Sequence, residues 1–286
     1  MDQRIINLFD EYTHRPLSRK EFMTRLVQLA GSTALAMSAL SVLEPGYAQA
    51  ATVAPNADDL VTEDVSWPGD GATMRGYLVR PKDKKKHGAV VVIHENRGLT
   101  PHIKDVTRRV AQAGYLALGV DALSVVGGTP ADEDKGREQL IGQLDASKNL
   151  NNYLRGLEYL RNRPESNGRT GCVGFCWGGA LANRLALADP KLNAAVAYYG
   201  TQPKDADLSK VKARLMLHYA GLDERVNAGK DAYEAALKAA GVKYEQYVYE
   251  GVNHAFNNDS SPARYNAEAA KLAWERTLRL FRETLS

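Results

Sequence analysis

Beyond Ala51 the apolar and polar positions fall into two alternating rhythms. Short runs that alternate, or that are apolar throughout, are followed by longer stretches whose apolar residues recur every three or four positions, the marks of strand and helix. Asp64 to Trp67 and Thr73 to Val79 predict an antiparallel pair around the turn Pro68-Gly69-Asp70-Gly71. Gly88 to Ile93 is continuously apolar, as expected of a strand covered on both faces. His102 to Ala113 predicts a helix closed by Gly114, and Tyr115 to Val120 the next strand. Leu150, Tyr153, Leu154, Leu157 and Leu160 share one helix face. Thr170 to Phe175, Leu192 to Tyr199, Ala213 to Tyr219 and Lys243 to Tyr249 predict further strands, with helices over Trp177 to Ala188 and Ala228 to Ala240 between them. Ser261-Pro262 predicts the start of a last helix, its buried stripe being Ala267, Ala270, Trp274, Leu278 and Phe281. Such alternation implies an α/β fold, a mostly parallel central sheet with helices on both faces. Neither a repeat nor a linker divides residues 51–286, so they read as one domain.

The first fifty residues follow a different pattern. Basic residues are concentrated between Arg15 and Arg25, Leu26 to Leu43 carries no charge, Glu44-Pro45-Gly46 interrupts any helix, and Ala48-Gln49-Ala50 offers the small residues a signal peptidase accepts. Ser18-Arg19-Lys20-Glu21-Phe22-Met23 resembles a twin-arginine export motif, with Lys20 in place of the second arginine. Residues 1–50 therefore read as a signal-like leader and the protein as periplasmic or exported. The alternative is a retained amphipathic helix or membrane-associated anchor on a cytoplasmic protein. The apolar run is only marginally long enough to span a bilayer, and no stable membrane insertion is expected after processing.

Composition narrows the function classes. With 37 Lys and Arg against 34 Asp and Glu, the net charge is +3, and the densest basic run, Lys82 to Lys86, lies among turn residues. No basic stripe suggests a nucleic-acid partner. The two cysteines, Cys172 and Cys176, fall on a strand and the turn after it, where their side chains are held apart, so neither a disulfide nor a structural zinc site is expected.

Gly174-Phe175-Cys176-Trp177-Gly178-Gly179 has the form of a nucleophile elbow, with cysteine in the serine position. Such a turn needs small residues where two backbones cross, and it sets the sulfur at a helix N-terminus, where the dipole favours thiolate over thiol. Read alone, the six residues also fit a glycine-rich turn with an incidental buried cysteine. The later chain changes the balance. Gly221-Leu222-Asp223-Glu224 follows one strand and Gly251-Val252-Asn253-His254 the next, both at the carboxyl edge where open α/β sheets build their sites. Nucleophile, acid and histidine occur in the chain order of α/β-hydrolases. Glu224 is the rival of Asp223 as the acid. His14, His87, His94, His102 and His218 lack the position of His254, although His94 is close to the expected site.

The stretch from Asp64 to Leu285 resembles the dienelactone hydrolase (carboxymethylenebutenolidase) family of α/β-hydrolases. The resemblance is carried by Val92-Ile-His-Glu-Asn-Arg-Gly98, Gly174-Phe-Cys-Trp-Gly-Gly179, Gly221-Leu-Asp223 and Asn253-His-Ala-Phe256. It implies that Glu95 contacts the resting thiol and takes part in its activation, and that the backbone N–H groups of Asn96 and Trp177 form the oxyanion hole. It also implies arginines that clamp a substrate carboxylate, but those positions hold Val125 and Asn258 here. Without a bidentate guanidinium, a neutral ester or lactone is the expected substrate. Arg97 is a substitute cation, and Ser124 and Phe256 are further substrate-binding candidates. The chemistry so read is acyl transfer to water through Cys176, His254 and Asp223 by way of a thioester, needing neither metal nor organic cofactor. A carboxylesterase, thioesterase or polyester-cleaving enzyme on the same scaffold is an alternative, as is a catalytically silent thiol sensor or binding protein.

Overall fold

The computed structural model describes residues 1–286 except 16, 45–50 and 205. Its centre is an eight-stranded sheet in the order β1-β2-β4-β3-β5-β6-β7-β8. The strands are β1 (Leu60–Pro68), β2 (Thr73–Pro81), β3 (His87–Ile93), β4 (Leu116–Asp121), β5 (Ser166–Phe175), β6 (Ala194–Tyr198), β7 (Arg214–Ala220) and β8 (Tyr244–Tyr249). β2 runs antiparallel to both β1 and β4, and every pair from β4 through β3 to β8 is parallel. This is the mostly parallel α/β arrangement that the residue pattern predicts, and it is compatible with the α/β-hydrolase fold that the resemblance implies.

The period of two sorts the strand side chains between two cores. Val90 and Val92 of β3 face one side, with Ile103, Val106 and Val110 of α4 (Pro101–Gln112) and Ala273 and Phe281 of α10 (Ala267–Leu285). Ala89, Val91 and Ile93 face the other, with Tyr153, Leu157 and Leu160 of α6 (Ala146–Arg161) and Leu181 and Leu185 of α7 (Trp177–Ala188). Burying both faces forces the continuous apolar run seen in β3. Short helices α5 (Glu133–Lys135), α8 (Glu224–Asn227) and α9 (Lys230–Ala239) complete the body.

The last helix departs from its sequence reading. Ser261-Pro262 does not open it; residues 261–265 form turns, and the Asn266 side chain caps α10 by accepting the Ala269 N–H at 3.0 Å. An asparagine cap satisfying an orphan donor outweighs the proline signal. The buried stripe is accordingly Ala269, Ala270, Ala273, Thr277, Leu280 and Phe281; Ala267 is exposed and Trp274 and Leu278 are half-buried.

Residues of the leader-like segment form α1 (Gln3–His14), α2 (Arg19–Ala30) and α3 (Thr33–Leu43). Phe9, Tyr12, Phe22, Leu26, Leu40 and Leu43 build a separate small core. Gly31, in the left-handed region at φ 84°, ends α2, and α2 and α3 are bent by 112°. No single helix among the described residues is long and apolar enough to cross a membrane. Pro45, Gly46 and Ala48 to Ala50, which carry the expected helix break and cleavage site, lie outside the described residues.

Candidate active site

The carboxyl edge of β5 turns into α7 through Cys176, whose φ of 55° and ψ of −113° place a non-glycine residue in a sparsely populated region. Such backbone costs about 1–3 kcal/mol and persists only when its surroundings hold it. They do so by close approach: a Cβ on Gly174 would lie 2.0 Å from the Gly178 carbonyl oxygen, and one on Gly178 would lie 2.5 Å from the backbone oxygens of Ile93 and His94. The Cys176 N–H is fastened to the Tyr198 carbonyl at 3.0 Å. Cys172, one turn of strand earlier, is fully buried in the core; its thiol is free and is pushed far up in pKa by burial and by the charge of Asp189.

Two loops bring the acid and the imidazole to the same edge. Asp223 follows β7 and uses both carboxylate oxygens: Oδ1 accepts the Val226 N–H at 3.1 Å and caps α8, while Oδ2 lies 2.5 Å from His254 Nδ1. The turn-forming and imidazole-orienting readings of Asp223 are thus satisfied together, and Glu224 is exposed. Burial raises the Asp223 pKa, but the charge and hydrogen bond of His254 hold it below the ordinary aspartate value. Because a carboxylate faces Nδ1, that nitrogen carries the proton and Nε2 is left as an acceptor. The His254 Nε2 is buried without a hydrogen-bond partner.

The hydrogen-bond partner of the sulfur is a residue the sequence reading set aside. His14, the last residue of α1, brings its Nε2 to 3.1 Å from Cys176 Sγ. Its ring is also packed edge-on against His254, with centroids 4.6 Å apart. Glu95, expected at the thiol, instead accepts from the Asn258 side chain at 2.9 Å. With Asn258 at the position where the resemblance implies a guanidinium, a neutral amide holds Glu95 in the loop. Ligand atoms of His14, Cys176 and His254 all lie within 4.8 Å of one another, a two-nitrogen, one-sulfur set that a thiophilic divalent metal fits.

Cys176 opens onto a cleft of about 700 Å³ lined by Asn96, Trp177 and Tyr199 on the body and by Tyr12 to Arg15 on the N-terminal segment. Trp177 is the first residue of α7, so its N–H lacks an intrahelical acceptor. The Asn96 side chain donates to the Thr13 carbonyl at 2.9 Å.

A sequence profile described as the dienelactone hydrolase family matches residues 74–285. The chain belongs to the dienelactone hydrolase family. It is similar to a protein of Escherichia coli O157:H7 provisionally named carboxymethylenebutenolidase, 33% identical over 262 residues, covering 84% of this chain and 96% of that one. A hydrolase fragment from Escherichia coli K12 is 51% identical over 116 residues, covering 40% of this chain and 97% of its own length. Among solved structures, a provisionally named dienelactone hydrolase from Klebsiella pneumoniae superposes with a TM-score of 0.71 at 28% identity, covering 78% of this chain and 99% of that one.

In this dienelactone hydrolase family member the three substrate-binding candidates lie away from the cleft. Arg97 is buried and donates to Asp134 at 2.9 Å, so it is not a spare cation. The Ser124 hydroxyl donates to the Asp121 carbonyl at 2.6 Å and accepts the Arg75 N–H at 3.0 Å. Phe256 is fully buried among Tyr198, Tyr199 and Tyr249. Strand-end loops fold back, so side chains next to a motif in sequence can face the core or be taken up in ion pairs. His94 and His218 are likewise structural: His94 stacks on Trp177 with centroids 5.2 Å apart, and His218 is deeply buried, its pKa lowered by burial and by Arg276 to about 3.

Proposed function

We propose that this hydrolase cleaves a neutral ester or lactone by transferring its acyl group to Cys176 and then to water. The observation that carries the reading is the strained elbow: Cys176 is held at φ 55° by backbone crossings that would be pointless for an inert buried thiol. The sulfur attacks the carbonyl carbon, and the N–H groups of Trp177 and Asn96 receive the oxyanion at the mouth of the cleft. His254, oriented by Asp223 at 2.5 Å, activates the water that releases the thioester. Neither position that the resemblance associates with a carboxylate clamp holds a cation: Val125 is partly exposed and Asn258 is bonded to Glu95.

The test is a panel of matched oxygen esters, thioesters and lactones, neutral and carboxylated, run on wild type, Cys176→Ser and Cys176→Ala. The expected result is turnover of the neutral members, a covalent acyl adduct on Cys176 by mass spectrometry, and none with Cys176→Ala. Equal turnover by wild type and Cys176→Ala would sink the reading. Rapid alkylation of Cys176 with no turnover of any substrate would favour a thiol sensor instead.

A further inference from the structure

The feature that the reaction above leaves unexplained is the end of α1. His14 does not merely approach the sulfur; its other ring nitrogen is held at the end of α1 by a hydrogen bond to the Asp10 backbone carbonyl, with the Asp10 carboxylate close by. Its Nδ1 lies 2.8 Å from the Asp10 carbonyl oxygen, 3.1 Å from the Asp10 carboxylate and 3.0 Å from the Thr13 hydroxyl. The Thr13 hydroxyl already donates to Phe9 and Asp10 carbonyls, so every neighbour of Nδ1 accepts, and the proton of the neutral ring stays there. The Nε2 lone pair then meets the Cys176 thiol at 3.1 Å. Asp10 is itself anchored to the body by Arg225 at 3.6 Å.

The two imidazoles are in edge contact, 4.6 Å between centroids, with a hollow on either side of α1. Cys176 and His14 line the cleft of about 700 Å³ that also holds Asn96 and Trp177. His254 and Asp223 line a separate hollow of about 560 Å³ with Asp10, Arg225 and Asn253. The sulfur is hydrogen-bonded to His14, while the unpartnered Nε2 of His254 stays near enough to serve the same sulfur, the ligand atoms of all three residues lying within 4.8 Å of one another.

We propose that His14, oriented by Asp10, is a second catalytic imidazole supplied by the retained N-terminal helix, and that it serves the acylation half of the reaction. The inference rests on Cys176 being the nucleophile. His14 Nε2 takes the thiol proton as Sγ bonds to the acyl carbon, and the imidazolium returns that proton to the leaving alcohol as the carbon–oxygen bond breaks. His254 then takes a proton from water, whose oxygen bonds to the acyl carbon as the carbon–sulfur bond breaks. The proton on His254 passes to the sulfur, and the acid leaves. A working enzyme of this design keeps residues 1–43.

The surroundings of the ring are few. The charged or titratable groups facing His14 are Asp10 on its own helix, Cys176 on the elbow and His254 after β8, with Arg225 of α8 behind Asp10.

The experiment uses the full chain and compares His14→Gln, Asp10→Asn and His254→Gln with wild type. Cys176 alkylation by iodoacetamide is followed against pH, and acylation and deacylation by p-nitrophenyl acetate are separated by stopped flow. With His14→Gln the alkylation midpoint should rise by at least about one pH unit. Acylation should slow by about 10²-fold or more, while deacylation changes less than about threefold. His254→Gln should slow deacylation instead, and Asp10→Asn should move the alkylation midpoint as His14→Gln does, by less. If the His14 variant does not fold, NMR of wild type serves: alkylating Cys176 should lower the titration midpoint of one histidine. An unchanged alkylation profile, a higher kcat/KM in His14→Gln (the helix then being a plug), or no histidine responding to alkylation would overturn the proposal while leaving Cys176 as nucleophile. Turnover by Cys176→Ala would overturn the proposed function as well, so the two failures are told apart.

Discussion

Asp223→Asn is the sharpest perturbation of the proposed deacylation half. The amide oxygen can keep the Val226 N–H that Oδ1 now accepts at 3.1 Å, so α8 stays capped and the fold is preserved. The amide nitrogen then replaces Oδ2, which lies 2.5 Å from His254 Nδ1, and presents hydrogens to a nitrogen that must carry one. The ring is forced into the other tautomer, with its proton on Nε2, and can no longer accept from water. Water cannot step in for the lost carboxylate, because the Asp223 and His254 side chains are only 1% and 4% exposed. Arg225 lies 3.5 Å from Nδ1 and adds a further penalty to an imidazolium without its counter-charge. Tautomer inversion in a serine triad lowers kcat by about 10⁴-fold, which is about 5 kcal/mol of transition-state stabilisation, and a loss of that order is expected here. Stopped-flow hydrolysis of p-nitrophenyl acetate is the assay. A stoichiometric burst of p-nitrophenol should survive while the steady-state rate collapses, and acyl-Cys176 should accumulate in the mass spectrum. A steady-state rate within about tenfold of wild type, with unchanged circular dichroism, would refute the assignment of the dyad as the deacylation base.

Other consequences are as definite. Gly178→Ala places a Cβ 2.5 Å from two backbone oxygens that cannot rotate away, so the elbow must shift; a stability loss of about 1–3 kcal/mol by urea unfolding and a large fall in acylation are expected. Because the folded-state pKa of His14 is raised, its contribution to docking α1 is fully present below about pH 6.5 and is lost as pH rises through the higher folded value. The depressed carboxylate of Asp10 contributes above the unfolded aspartate value and is lost only in stronger acid, so amide exchange in residues 3–14 should be slowest near pH 5–6, after correction for intrinsic rates, and faster at alkaline pH. Micromolar zinc should inhibit reversibly through His14, Cys176 and His254, with chelators restoring activity and His14→Gln weakening the inhibition by about tenfold or more. Intact-mass measurement of the protein from its own host should show residues 1–43 still attached to the active fraction; activity confined to a form lacking them would contradict the role of His14.

Much of this protein was legible in the residue order alone. β3 announces itself because a strand buried on both faces must be apolar throughout, and α7 begins at Trp177 because Gly174 before it and Gly178 after it let the backbones cross as the strand turns. Cys176, Asp223 and His254 stand out because strand ends lie at predictable places and their loops carry local signals. What the order could not reveal is contact between elements far apart in the chain. His14 and Cys176 are separated by 162 positions, and no local pattern distinguishes an imidazole at the end of an amphipathic helix from one on a solvated face. The same helix carried a competing signal, since basic residues followed by an uncharged run also mark an export leader. Arg97 and Asn258 make the complementary point: their chemistry was visible, but their partners Asp134 and Glu95 were not. Periodicity and turn chemistry are properties of neighbouring residues and specify elements. Which side chain faces the sulfur depends on how the elements pack, and there the tertiary structure alone decides.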